Sequence, residues 1–184
     1  MGSGVMVRSG FFHCIRLSGL LSAGACSTES DPASPIPPFS IGENHAGGII
    51  FYLDGSGEHG LVAAPQDQGV SVDWFNGGYV VTGAIGTGIG TGQANTSAIV
   101  AAQGEGDYAA SLCDRLVLNG FSDWFLPSKD ELNALFFSRA SVGGFSHSFY
   151  WTSSEHGEGS AWEQVFHTGA QYNANKNFSI RVRA

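Results

Sequence analysis

The chain has 184 residues, enough for one domain with a hydrophobic core and some tail but too few for two full domains. Only 13% of residues are charged, while 27 are glycine and 12% are aromatic, a balance that suits a loop-rich extracellular module with few surface helices. The formal charge of −8, with six Lys and Arg beyond residue 40, argues against a nucleic-acid partner and disfavours anionic membranes and polyanionic sugars.

In chain order, residues 1–26 read as a signal peptide. Arg8 and Arg16 supply a basic region, Leu17 to Ala25 a short apolar stretch, and Ala23, Gly24 and Ala25 stand before Cys26. Small residues followed by cysteine and a polar tether are similar to a bacterial lipoprotein signal, which makes Cys26 the candidate lipidation site. Ala23 stands where such signals usually carry leucine, and plain secretion is the competing reading. Either way the expected location is extracellular or at the cell surface. The apolar stretch is too short to span a bilayer, so peripheral attachment, to the outer membrane, is expected only through a lipid on Cys26. Residues 27–40 form a Pro/Ser-rich linker with four prolines and little to bury. Once Cys26 is set aside and Cys14 is removed with the signal, only Cys113 remains, on the apolar face of a helix, as a buried and inert thiol.

The domain is expected over residues 41–184. Gly47 to Asp54 reads as a strand, Asp54 to Gly57 as a turn and Gly60 to Ala64 as a second strand, so the domain opens with a hairpin. Trp74 and Phe75 mark a buried point. The run GAIGTGIGTG, Gly83 to Gly92, follows neither the dinucleotide spacing of glycines nor a P-loop, and reads as a flexible or tightly turned surface loop. Asn95 to Gln103 is a short helix. Asp107 caps another, lined by Ala109, Leu112, Cys113 and Leu116 and ended by Gly120. A third starts at Ser128, where Ser128 and Glu131 have the spacing of a capping box and Leu132, Leu135 and Phe136 share one face. Beyond Gly144 the period becomes two: Phe149 to Glu155, Ala161 to His167, Ala170 to Asn173 and Ser179 to Ala184 read as strands. The fold class is α+β, with two or three short helices flanked by antiparallel strands and long Gly-rich loops.

Several segments carry a family resemblance: SDWFLPSKDELNALF from Ser122, FYWTSSE from Phe149, AWEQVF from Ala161 and RVRA from Arg181, together with GGIIFYLD, HGLVAAPQDQG and GTGIGTGQANT upstream. The chain resembles the Lcl C-terminal domain family, bacterial domains of unknown function with a C-type lectin-like fold, over nearly all of residues 45–184. The resemblance implies a ligand-binding, adhesin-like module on the outside of bacterial cells, taking glycans or surface proteins, and not an enzyme. The same fold includes formylglycine-generating enzymes, which need reactive cysteines near the C-terminus, and no cysteine follows Cys113. It also includes retroelement-diversified receptors that present Asn-rich C-terminal segments. Gln171 to Asn177 has that look, and this remains a subordinate reading.

Motifs of zinc hydrolases and serine hydrolases are missing, and the histidines show no metal-ligand spacing in sequence. A hydrolytic site from His156, Glu155 and a serine ranks last. No cofactor is expected. The calcium-lectin signatures do not occur, and Asp54 to Glu58 reads as a solvated turn, leaving calcium held by some other set of oxygens as the alternative. Alternation on the strand from Ala161 to His167 puts Trp162, Gln164 and Phe166 on a core side and Glu163, Val165 and His167 on a ligand side. Trp124 and Trp151 read as core. Aromatic faces stack on sugars and amides bond hydroxyls, which gives Tyr150, Glu155, His156, Glu163, His167, Tyr172, Asn173, Asn175 and Lys176 as candidate ligand-binding residues, with no catalytic residue and no metal site. A glycan-binding or protein-binding module is the first reading, and a structural or self-assembly domain using the same surface is the second.

Overall fold

The computed structural model describes residues 39–184. The expected signal peptide, Cys26 and the expected linker up to residue 38 lie outside the described residues. Three helices and two mostly antiparallel sheets make an α+β fold, as the change of hydrophobic period along the chain predicts. In order the elements are β1 (Asn44–His45), β2 (Gly48–Leu53), β3 (Gly60–Ala63), β4 (Gly69–Val72), α1 (Gly92–Gln103), α2 (Ala109–Asp114), α3 (Lys129–Val142), β5 (Phe149–Gly157), β6 (Ser160–Val165), β7 (Gln171–Asn175) and β8 (Ile180–Val182). No helix among the described residues is long and apolar enough to cross a membrane.

β1, β2 and β3 form a small sheet in that order, and β4-β8-β5-β6-β7 forms a five-stranded one in which only the β5–β8 pair is parallel. Successive residues of β5 serve different cores, as strand alternation requires. Tyr150 joins Phe51, Leu132, Leu135, Phe136 and Phe166 in a cluster beneath α3 and the small sheet. Trp151 joins Trp74, Ile99, Tyr108, Leu126 and Val182 in the cluster that α1 and α2 cover. The larger sheet therefore has helices packed on both faces. β7 is left as a free edge.

Local chemistry explains the boundaries. Ser128 is extended (φ −65°, ψ 172°), its hydroxyl accepts the Glu131 N–H, and the Glu131 carboxylate accepts the Ser128 N–H at 2.7 Å, so the capping box opens α3. Two expectations at α2 need correction. Tyr108, not Asp107, is the N-cap, without a side-chain cap bond; Asp107 instead pairs with Arg115 at 2.5 Å on the exposed surface. The helix also stops at Asp114 rather than running to Gly120. Asn119 (φ 51°) and Gly120 (φ 86°) form the two-residue turn of a miniature hairpin in which Leu118 and Phe121 exchange both backbone bonds. Asn-Gly with positive φ at both positions is the pairing such a turn requires.

The last strand brings two arginines to one acid. Arg183, fully buried, donates from Nε to Asp67 Oδ1 at 2.8 Å and from its other nitrogens to the carbonyls of Ala64 and Gly144. Arg181 meets Asp67 Oδ2 at 2.9 Å. Both arginines are thus spent on joining the C-terminal strand to the segment after β3.

Candidate functional site

The β6–β7 ladder defines a face on which several of the candidate groups collect. Its register pairs Ser160 with Asn175, Trp162 with Asn173 and Gln164 with Gln171, and residues directly opposite in a ladder share a face. At the inner end of this row Gln164 donates to Asn133 Oδ1 at 2.9 Å and Gln171 donates to the Lys129 carbonyl at 2.8 Å, which fixes α3 against the sheet. Further out the helix no longer covers the strands. There Trp162 is half-buried, with the Lys129 ammonium 3.8 Å from its ring centroid on one side and the His156 ring edge-on at 5.4 Å. His156 Nδ1 lies 3.2 Å from Ser160 Oγ. Exposed Asn173 and Asn175 complete the row along the free edge. The result is a shallow strip with one flat indole, one imidazole, one ammonium and two amides.

Trp162 and Lys129 are members that sequence reasoning missed. Trp162 was expected in the core because it alternates with Gln164 and Phe166, which are indeed buried. It escapes because the β5–β6 hairpin extends past the N-terminus of α3. Its position one residue after the hairpin strand begins was the available signal.

Four expected ligand residues, Tyr150, Glu155, Glu163 and Lys176, are corrected to interior ones. Glu155 and Lys176 form an ion pair at 2.6 Å with side chains 2% and 0% exposed. The Glu155 carboxylate also accepts the N–H groups of Thr82 and Gly83 at 3.0–3.1 Å, and Lys176 donates to the Val80 carbonyl at 3.1 Å while its ammonium sits 4.5 Å from the Trp74 ring centroid. Such a pair is stable in the interior because every charge has partners, and for the same reason neither group is free to meet a ligand. Tyr150 is fully buried. Its hydroxyl donates to Asp67 Oδ2 at 3.1 Å and accepts the Ser146 N–H, and burial, the larger influence, pushes its phenol above the usual range.

The other candidates separate by strand alternation. Glu163 and Tyr172 are register partners on the opposite face from Asn173. Tyr172 is 56% exposed, whereas Glu163 is buried, and that burial raises its carboxyl above the ordinary carboxylate value. His167 is exposed in the turn that follows β6, beside His147. Of the nine residues singled out in the sequence, only His156, Asn173 and Asn175 gather on the strip. Glu155 and its sequence neighbour His156 are also parted, one engaged inside and the other exposed, which leaves the hydrolytic arrangement without its acid.

The glycine-rich loop binds anions of a kind the sequence did not suggest: the protein's own carboxylates. Thr82 and Gly83 N–H groups serve Glu155, while Gly90 donates to Glu131 at 2.7 Å and Gly92 at 3.4 Å. With its backbone turned inward, the segment presents Tyr79, Val80, Val81, Ile85 and Ile89 to solvent. At the β2–β3 turn Asp54 Oδ1 accepts from the Ser56 hydroxyl and from the N–H groups of Ser56 and Gly57, and the Ser56 hydroxyl bond is the main influence lowering the Asp54 pKa. Those oxygens close a turn. Among the described residues no three His, Cys, Asp or Glu side chains converge to hold a metal ion. An apolar cleft of about 230 Å³ between β3 and residues 121–127, bordered by Leu61, Val62, Phe121, Trp124 and Phe125, contains none of the expected ligand residues. Comparison of the chain with family models and with curated proteins finds no match.

Proposed function

We propose that residues 41–184 are a non-catalytic ligand-binding module of C-type lectin-like fold, carried outside the cell, whose strip of Trp162, His156, Asn173 and Asn175 recognises a glycan. The observation that carries this reading is the β6–β7 register, which sets an indole beside amide side chains on a free and uncovered sheet edge. A sugar offers a C–H face to stack on the ring and hydroxyls for amides and imidazole to bond. The ammonium over Trp162 adds a donor for a hydroxyl or carboxylate of the same ligand. Resemblance to the Lcl C-terminal domain family supports the same class of function, and the signal and Cys26 support attachment at the outer surface by a lipid.

The test is a glycan array followed by titration of any hit into the full chain and into a His156→Ala/Asn173→Ala double variant. Both side chains are exposed, so the variant is expected to keep its melting temperature and to lose at least tenfold in affinity. A hit bound equally by the two proteins would remove the strip from recognition.

A second reading, self-association, has its own support in the outward-facing Tyr79, Val80, Val81, Ile85 and Ile89, since contiguous apolar side chains on a surface mark contact with a partner. Light scattering of the parent and of a Val81→Ser/Ile85→Ser variant separates it: only a self-associating domain becomes smaller on substitution.

A further inference from the structure

At the end of β5 opposite to the strip, the β5–β6 ladder brings together two histidines that lie twenty positions apart in sequence. Phe149 pairs with Val165 and Tyr150 with Gln164 at this end of the ladder, and beyond it His147 lies in the bend that leads into β5 while His167 lies in the turn that follows β6. The Phe166 N–H donates to the Ser148 carbonyl at 2.8 Å, a backbone bond between the residues adjoining the two histidines. Both imidazoles are exposed, and their ring centroids are 6.1 Å apart with planes inclined at 61°. The Phe166–Ser148 backbone bond holds the two segments that carry the histidines side by side.

We propose that His147 and His167 form a surface site for a divalent cation of the zinc class. Imidazole nitrogen is a preferred donor for zinc, nickel and copper and a poor one for calcium or magnesium, which take oxygens. A zinc ion bound at about 2.0–2.1 Å from each nitrogen needs the two donors roughly 3.3 Å apart. With ring centroids 6.1 Å apart, the imidazoles reach that spacing by rotating about their side-chain torsions. Two protein donors leave two positions of a tetrahedral zinc open to water or to a donor from another molecule. The site is therefore an open one, suited to bridging, and differs in chemistry and place from the glycan strip.

Isothermal titration of zinc into the full chain, with calcium as the comparison, tests the proposal. The expected result is saturable binding of one zinc per chain and at least tenfold tighter binding of zinc than of calcium. His147→Ala and His167→Ala each weaken zinc at least tenfold, whereas His59→Ala, an exposed histidine on the β2–β3 turn, leaves it unchanged. Melting curves of each variant show whether it is folded, and His147→Gln repeats the test with a ring-sized polar side chain. Zinc affinity retained by either folded alanine variant, or no saturation by 1 mM zinc, overturns the assignment.

Discussion

Removal of the Lys176 ammonium is the sharpest test of how the interior is held. Lys176→Met keeps most of the side chain's volume but leaves Glu155, 2% exposed, with only the Thr82 and Gly83 N–H groups to offset its charge. Breaking a buried ion pair from one side costs about 3–5 kcal/mol, because the stranded charge keeps its desolvation penalty. At about 2–4 °C per kcal/mol for a domain near this size, the melting temperature should fall by roughly 10 °C. Urea unfolding followed by tryptophan fluorescence suits the question, since the ammonium sits over the Trp74 ring. The double variant Glu155→Gln/Lys176→Met has no uncompensated charge and keeps a carbonyl acceptor for the loop. It should lose less than the two single changes added together. A Lys176→Met protein within about 0.5 kcal/mol of the parent, the scatter of an ordinary surface change, would refute the assignment of this pair as a structural latch.

Two further outcomes follow from burial. Glu163 has its carboxyl pKa raised in the folded state, so its favourable contribution is present below the unfolded value, near pH 4.3, and is lost as pH rises through the higher folded value. Glu163→Gln should therefore be more stable than the parent at pH 7 and match it below about pH 4; a parent more stable than the variant at neutral pH in urea titrations contradicts this. Cys113 is wholly buried, and burial drives its thiol far above the normal range, so a thiol reagent should label it only after unfolding. Rapid stoichiometric labelling in native buffer would show that the α2 face opens.

The elements that were legible in the sequence are those whose cause is local. The Ser128–Glu131 box, the β2–β3 hairpin and the alternation from Phe149 onward depend on spacing within one segment, and each appears where spacing puts it. β4 was not legible: Gly-Val-Ser-Val is only four residues long, too short for its alternation to stand out, and its strand character comes from pairing with β8 more than a hundred residues later. The same limit explains the site. Alternation correctly parts Gln164 from Glu163, but which groups are covered depends on what packs over each face: α3 does not cover Trp162, whereas Glu163, on the other face, stands opposite Trp151 of the cluster that α1 and α2 cover. Tyr150, Glu155 and Lys176 have the chemistry of ligand contacts, and only the fold reveals that Asp67 and each other are their partners.

The glycine-rich loop shows why composition alone misplaces function. A carboxylate can accept successive backbone N–H groups only if nothing stands between, and at Gly92 a Cβ would collide with the Glu131 carboxylate and the Phe125 ring. Gly83 and Gly90, with φ of 77° and 88°, supply the left-handed turns that aim their N–H groups inward. Glu131 thus closes the capping box with one oxygen and holds the loop with the other, while Glu155 holds the loop's earlier half. The most distinctive motif, Ser122 to Leu132, and the most suggestive composition, Gly83 to Gly92, prove to be two halves of one internal clasp. That clasp fixes the base of a long loop whose outer side chains are apolar.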